Sequence, residues 1–174
     1  MKTGTPEKSE YAKKIVAALS YIGLANQDQV GVTSFSDTIG KTKSPERGKD
    51  VYLSVLNYLS SLQASGKTRF NSSLESFAAA GNKPGIAVVI SDLLDPKGYK
   101  KGLRALMHNK FKLTLIQVLE QEEIKPGFNG RFALQDVETG RERHLLADKK
   151  ILLKYEKKMS DYLKGISDFC KKRG

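Results

Sequence analysis

The stretch "PGIAVVISDLLD" at 84–95 constrains this chain more than any other. Five successive apolar residues, Ile86 to Ile90, are opened by Pro84-Gly85 and closed by Ser91-Asp92. A strand that is apolar on both faces belongs inside a parallel sheet covered by helices, since a solvated face would require alternation with polar residues. A second apolar strand, "KLTLIQVLE" (112–120), follows a helical stretch around Lys97 to Met107. Strand, helix and strand in that order read as a parallel crossover.

The flanking segments extend the pattern. From Ser9 to Ala25, Tyr11, Ile15, Leu19 and Ile22 recur at helical spacing, with Ala12 and Val16 beside them. "DQVGVTSFSD" (28–37) gives a short strand, and the polar "TIGKTKSP" after it reads as an antiparallel edge strand paired back to it. Arg47 to Leu62 forms a second amphipathic helix through Val51, Val55, Leu59 and Leu62, and Phe70, Leu74 and Phe77 mark a third. Turn-rich sequence at 124–146 surrounds short strand-like pieces. A long closing helix follows, with Ile151, Tyr155, Met159, Tyr162, Ile166 and Phe169 as its stripe and Asp148 as its N-cap. The expected architecture is one α/β domain over residues 1–174: a doubly wound, mostly parallel, Rossmann-like sheet with helices on both faces and one antiparallel edge strand.

Composition excludes several classes. No apolar run approaches the ~20 residues of a membrane span, and "MKTGTPEKSE" lacks the apolar middle of a signal peptide. Cys170 is the only cysteine, which fits a reducing cytoplasm, and it reads as a packing residue. The net charge is +11, and the last 34 residues hold 11 Lys/Arg against 5 Asp/Glu. Such a bias suits an acidic partner or another anionic surface, as well as an ordinary solvated helix face. The basic runs carry no interleaved aromatics, so base stacking has no support in the sequence.

"QASGKTRFNSSL" (63–74) looks at first like a phosphate-binding loop. That loop needs G-x-x-x-x-G-K-[ST] between a strand and a helix, and here Ser61 stands where the first glycine must be, behind a helix. What remains is Thr68 in a short interhelical loop. In open α/β sheets the functional loops gather at the C-terminal ends of the strands, where Asp92 and Asp37 both fall. A hydroxyl and two carboxylates could hold a hard divalent ion such as Mg²⁺ or Mn²⁺. The same residue types at strand ends also serve as helix caps and turn formers.

Taken in order, "EKSEYAKKIVAALSYIGLANQDQVGVTSFSD", "LNYLSSLQASGKTRFNSSLESF", "GIAVVISDLLD" and "IKPGFNGRFALQDVETGRER" resemble the von Willebrand factor A-like domains of a bacterial family of unknown function. Members of that family are commonly encoded beside MoxR-type AAA+ ATPases. The resemblance covers essentially the whole chain and implies a metal-ion-dependent adhesion site at the C-terminal edge of the sheet. In such sites the ion is held by a D-x-S-x-S motif after the first strand, a Thr in a second loop and an Asp after a later strand. Thr68 matches the second element and Asp92 the third; Asp37 stands nearby as a substitute. The first element is absent, since Met1 falls where the residue after it would be. The resemblance therefore implies weak or absent ion binding in this chain, and a sheet lacking a central strand and prone to self-association.

Chemistry of that kind is binding chemistry, with no nucleophile or base. His108 and His144 lack metal-ligand spacing, and no Ser, His and acid set declares itself. The expected function is a non-enzymatic, cytoplasmic interaction module for an acidic protein partner, a MoxR-type AAA+ ATPase by resemblance. The alternative is a basic domain that binds nucleic acid or another anionic surface through its C-terminal helix.

Overall fold

Among the described residues, eight elements make up the first part of the chain. They are α1 (Thr5–Ala25), β1 (Val30–Phe35), β2 (Ile39–Glu46), α2 (Val51–Ser61), α3 (Phe70–Ala79), β3 (Ile86–Ser91), α4 (Lys100–His108) and β4 (Lys112–Gln117). Four more follow: α5 (Gln121–Ile124), β5 (Gly130–Gln135), β6 (Glu142–Ala147) and α6 (Lys149–Lys171). This computed structural model describes the backbone of residues 5–63, 68–126, 130–135, 142–147 and 149–172, and the side chains of 8–63, 68–126 and 150–172. Met1, the Gly66-Lys67 pair, the "ETG" turn and the Asp148 cap lie outside the described residues. The chain divides into two compact units, Met1–Val118 and Leu119–Gly174.

In the first unit the two apolar strands pair in parallel, as their composition predicts, in register from Ile86↔Lys112 to Ser91↔Gln117. Backbone hydrogen bonds extend the ladder at both ends, Lys112 N–H to the Gly85 carbonyl at 2.8 Å and Val118 N–H to the Ser91 carbonyl at 3.1 Å. The polar strand β2 pairs back onto β1 as an antiparallel hairpin, from Val30↔Glu46 to Phe35↔Ile39, with register shifts on either side of Val32 and Thr33. The Tyr58 hydroxyl of α2 accepts the Ser34 N–H at 3.1 Å and donates to the Lys41 carbonyl, supplying partners where the ladder is irregular.

The second unit holds an antiparallel pair, β5 with β6, from Gly130↔Ala147 to Gln135↔Glu142. His144 therefore lies within a strand opposite Ala133 rather than in a turn. Along α6 the expected stripe is buried at Met159, Ile166 and Phe169, whereas Ile151 and Tyr155 are exposed.

The expectation of one continuous doubly wound sheet is met in part. The chain is mixed α/β with a parallel pair and an antiparallel edge hairpin, but the described strands form three two-stranded sheets. β3 has β4 on one side and no second strand neighbour among the described residues. Val89 is buried, yet Ile86 is 74% exposed and Val88 40%. An apolar run shows that a strand can be covered on both faces; whether it is covered depends on segments elsewhere in the chain.

Core packing corrects one stripe. Leu24, Val55 and Leu59 form a buried cluster, with Val16, Ala17, Val30 and Val32 packed against it. α1 thus turns Val16, Ala17 and Leu24 inward, while Tyr11, Leu19 and Ile22 of the expected stripe are exposed. The helix is apolar on two sides, so periodicity alone could not choose between them.

Candidate functional site at the C-terminal edge of the parallel strands

Beyond Ser91 the chain makes a tight, self-bonded loop. The Ser91 hydroxyl accepts the Leu93 N–H and the Asp92 carboxylate accepts the Leu94 N–H, both at 3.1 Å. Leu93 sits in the left-handed region at φ 60° and is fully buried. A branched apolar residue tolerates that conformation only where its surroundings enforce it. The loop then turns again at Asp95, whose carboxylate accepts the Lys97 N–H at 2.7 Å and whose carbonyl accepts the Gly98 N–H at 2.8 Å. Gly98 takes φ 72°, which suits glycine. This turn explains why α4 begins at Lys100 rather than near Lys97.

Two other loops are fastened to this one. The second Asp95 oxygen accepts the Phe70 N–H at 2.8 Å and so caps the start of α3 from another segment. The Asn71 side chain donates to the Gly98 carbonyl at 2.7 Å and the Lys97 carbonyl at 3.2 Å, and accepts the Gly102 N–H at 2.9 Å. The β1–β2 turn joins through the Ser36 carbonyl, which accepts the Arg69 N–H at 2.8 Å and the Ser73 hydroxyl at 3.1 Å. Phe35 and Phe70 meet edge to face beneath, with ring centroids 5.8 Å apart. Three loops distant in sequence therefore converge at one edge.

The candidate residues stand in those loops. Thr68 is exposed and precedes the Arg69 that bonds Ser36; Asp37 is exposed, with one oxygen accepting the Ser36 hydroxyl at 3.2 Å. Asp92 carries an ion pair with Lys8 of α1, Nζ to Oδ2 3.4 Å, and its carbonyl accepts the Gln117 side-chain N–H at 2.9 Å. Among the described residues, no hydrogen bond or ion pair joins Thr68, Asp37 and Asp92 to one another.

A divalent ion of the Mg²⁺ class takes about six oxygen ligands. Among the described residues no group of three or more His, Cys, Asp or Glu could hold a metal. One carboxylate already engaged by an ammonium, one detached carboxylate and one exposed hydroxyl do not by themselves fit such an ion. Thr68, Asp92 and Asp37 thus lie at one loop edge without making up a coordination sphere by themselves.

The sequence reading named Thr68, Asp92 and Asp37 and did not single out Asp95, Asn71, Ser73 and Lys8, whose side chains bond across this edge. Asp95 had a local signal, since an Asp before Pro96 starts turns. Lys8 had none, lying 84 positions from its partner.

A mixed α/β unit with its loops gathered at one strand edge defines the class of protein. The chain belongs to the family described as protein of unknown function DUF58, whose model matches residues 1–163. Its fold is similar to that of an aerotolerance-related membrane protein of Bacteroides fragilis NCTC 9343 carrying multiple mutations to serine. That match has a TM-score of 0.55 at 18% identity and covers 90% of this chain and 80% of the other. It is also similar to the conserved hypothetical protein BatB of Bacteroides thetaiotaomicron, with a TM-score of 0.51 at 16% identity, covering 96% and 90%. No curated protein gives a significant match. No helix among the described residues is long and apolar enough to cross a membrane.

Proposed function

We propose that this chain is a non-enzymatic protein-interaction module of the von Willebrand factor A-like type. Its contact surface is the edge where the loops at 36–38, 68–71 and 91–98 meet. One observation carries the reading: Asp95, Asn71 and the Ser36 carbonyl spend their hydrogen bonds fixing backbone, loop to loop. A rigid edge of exposed loops suits recognition, since it lowers the cost of ordering on binding. The residues left facing outward, Thr68 and Asp37, include no nucleophile with a base. The partner is an acidic protein in the cytoplasm, a MoxR-type AAA+ ATPase, steered by the excess positive charge.

The test is direct binding of the purified MoxR-type ATPase from the same genome, measured by biolayer interferometry at low and high ionic strength. Binding that survives high salt and weakens at least about tenfold in Asp92→Ala supports the reading. An ATPase that never binds overturns it.

A second reading has its own observation. The first half of α6 exposes Lys150, Lys154, Lys157 and Lys158 together with Ile151 and Leu153. Binding to unrelated DNA fragments that falls steeply with salt would favour an anionic-surface role instead.

The open edge of β3, with Ile86 and Val88 uncovered, favours self-association by strand pairing.

A further inference from the structure

We infer that the cation serving Asp92 in this chain is the Lys8 ammonium, and that Lys8 determines what the edge can bind by holding a divalent ion off that carboxylate. The inference rests on the adhesion-type reading of the edge and names a control on it.

Three observations converge. The Lys8 ammonium lies 3.4 Å from one Asp92 oxygen, while the other oxygen accepts the Leu94 N–H, so both oxygens are engaged within the chain. The Lys8 side chain is mostly enclosed, 19% exposed against 40% for Asp92. The charge is therefore held at the edge rather than waving in solvent. Lys8 also sits in the first turn of α1, where the helix dipole disfavours a cation. The Asp92 carboxylate, just beyond β3, faces it and offsets that cost.

An Mg²⁺ or Mn²⁺ ion must bring a carboxylate oxygen to about 2.1 Å. Such an ion would sit beside the ammonium, and two cations on one carboxylate repel. An ion there must displace the Lys8 ammonium or bear its repulsion, and either weakens binding. The donor set, too poor for an ion by itself, is thus consistent with a site whose positive charge comes from the chain. In this state the edge presents Thr68 and Asp37 to a partner with Asp92 already neutralised.

The experiment is a Mn²⁺ titration read by electron paramagnetic resonance, in which protein binding removes the signal of the free ion. Wild type is compared with Lys8→Gln, Lys8→Arg, Asp92→Asn and the Lys8→Gln/Asp92→Asn double variant. Urea midpoints of all five confirm that each is folded, and Lys8→Arg keeps the charge should Lys8→Gln unfold.

The expected result is that Lys8→Gln takes up Mn²⁺ about fivefold to tenfold more tightly than wild type. Lys8→Arg should not, and the gain should vanish in the double variant. Should wild type and Lys8→Gln bind Mn²⁺ equally, and both lose it with Asp92→Asn, the Asp92 site stands and the role of Lys8 is overturned. If no variant takes up Mn²⁺, Lys8 is not what keeps an ion off Asp92 and the inference is overturned, while the contact-edge reading is decided separately by the ATPase binding test. Equal tightening in Lys8→Arg also overturns it, since charge would not be the cause.

Discussion

The Asp95 carboxylate caps α3 from a distance, accepting the Phe70 backbone N–H at 2.8 Å across 25 positions of sequence. A helix start normally finds its cap in the residue just before it. Here that residue is Arg69, which makes no side-chain cap bond, so the orphan N–H is satisfied by the loop after β3. Placement of α3 and closure of the loop edge are therefore one event.

Removing that carboxylate should loosen both. Asp95→Ala is expected to lower stability by about 1–2 kcal/mol, the scale of a lost cap plus a lost turn bond. Asp95→Asn keeps an acceptor oxygen and should cost less. Urea unfolding of the three proteins decides it: equal midpoints for Asp95→Ala and wild type would mean the cap contributes nothing.

Gly102 lets α4 approach α3. A methyl added there would meet Leu74 Cβ at 3.0 Å, Asn71 Cα at 3.1 Å and the Asn71 carbonyl oxygen at 3.2 Å. Two of these contacts are backbone and cannot swing aside. Alanine brings helix propensity of about 1 kcal/mol, while overpacking costs about 1–3 kcal/mol. Gly102→Ala should therefore be net destabilising, by about 1 kcal/mol. Gly85→Ala is the control, with nothing within 4 Å of the added carbon, and should stay near wild type. A thermal-melt ranking with Gly85→Ala below Gly102→Ala would contradict the packing account.

These two positions show where the sequence was legible. Helices α2 and α3 and the pairings β1–β2 and β3–β4 followed from periodicity and apolar runs, because those signals are local. The latch residues did not, because their partners lie far off: Asn71 meets Gly102 31 positions on, and Lys8 meets Asp92 across 84. Side chains that bond remote backbone leave no periodic trace. Burial misled in the other direction. Ile86 and Val88 have the composition of covered residues and are exposed, since one strand cannot reveal whether a neighbour lies against its open edge.

Tyr155 gives a pH-dependent prediction in the second unit. Its hydroxyl donates to the Glu123 carbonyl at 2.7 Å, and partial desolvation of the otherwise exposed ring, then the Glu123 charge, pushes its pKa above the usual 10.0. A raised folded-state pKa means that the fold favours the protonated phenol. Its contribution is present below the unfolded value and is lost as pH rises through the folded one. Stability should therefore fall above about pH 10, and Tyr155→Phe should fall less steeply over that range. Urea midpoints of the two proteins, stepped through the alkaline range, test this. Parallel curves would show that Tyr155 takes no part.

The open edge of β3 gives the last prediction. Exposed Ile86 and Val88 flank backbone groups with no strand neighbour among the described residues, which is the arrangement that recruits another strand. A lysine there should block pairing by charge, since edge lysines are a common defence against it. Leu53 of α2, 69% exposed, presents similar apolar area without a strand edge. If association runs through the edge, sedimentation velocity should show Val88→Lys shifting the protein towards monomer while Leu53→Lys leaves the distribution as in wild type. Equal shifts would assign association to general apolar exposure, and a wild type monomeric at high concentration would remove strand pairing from the account altogether.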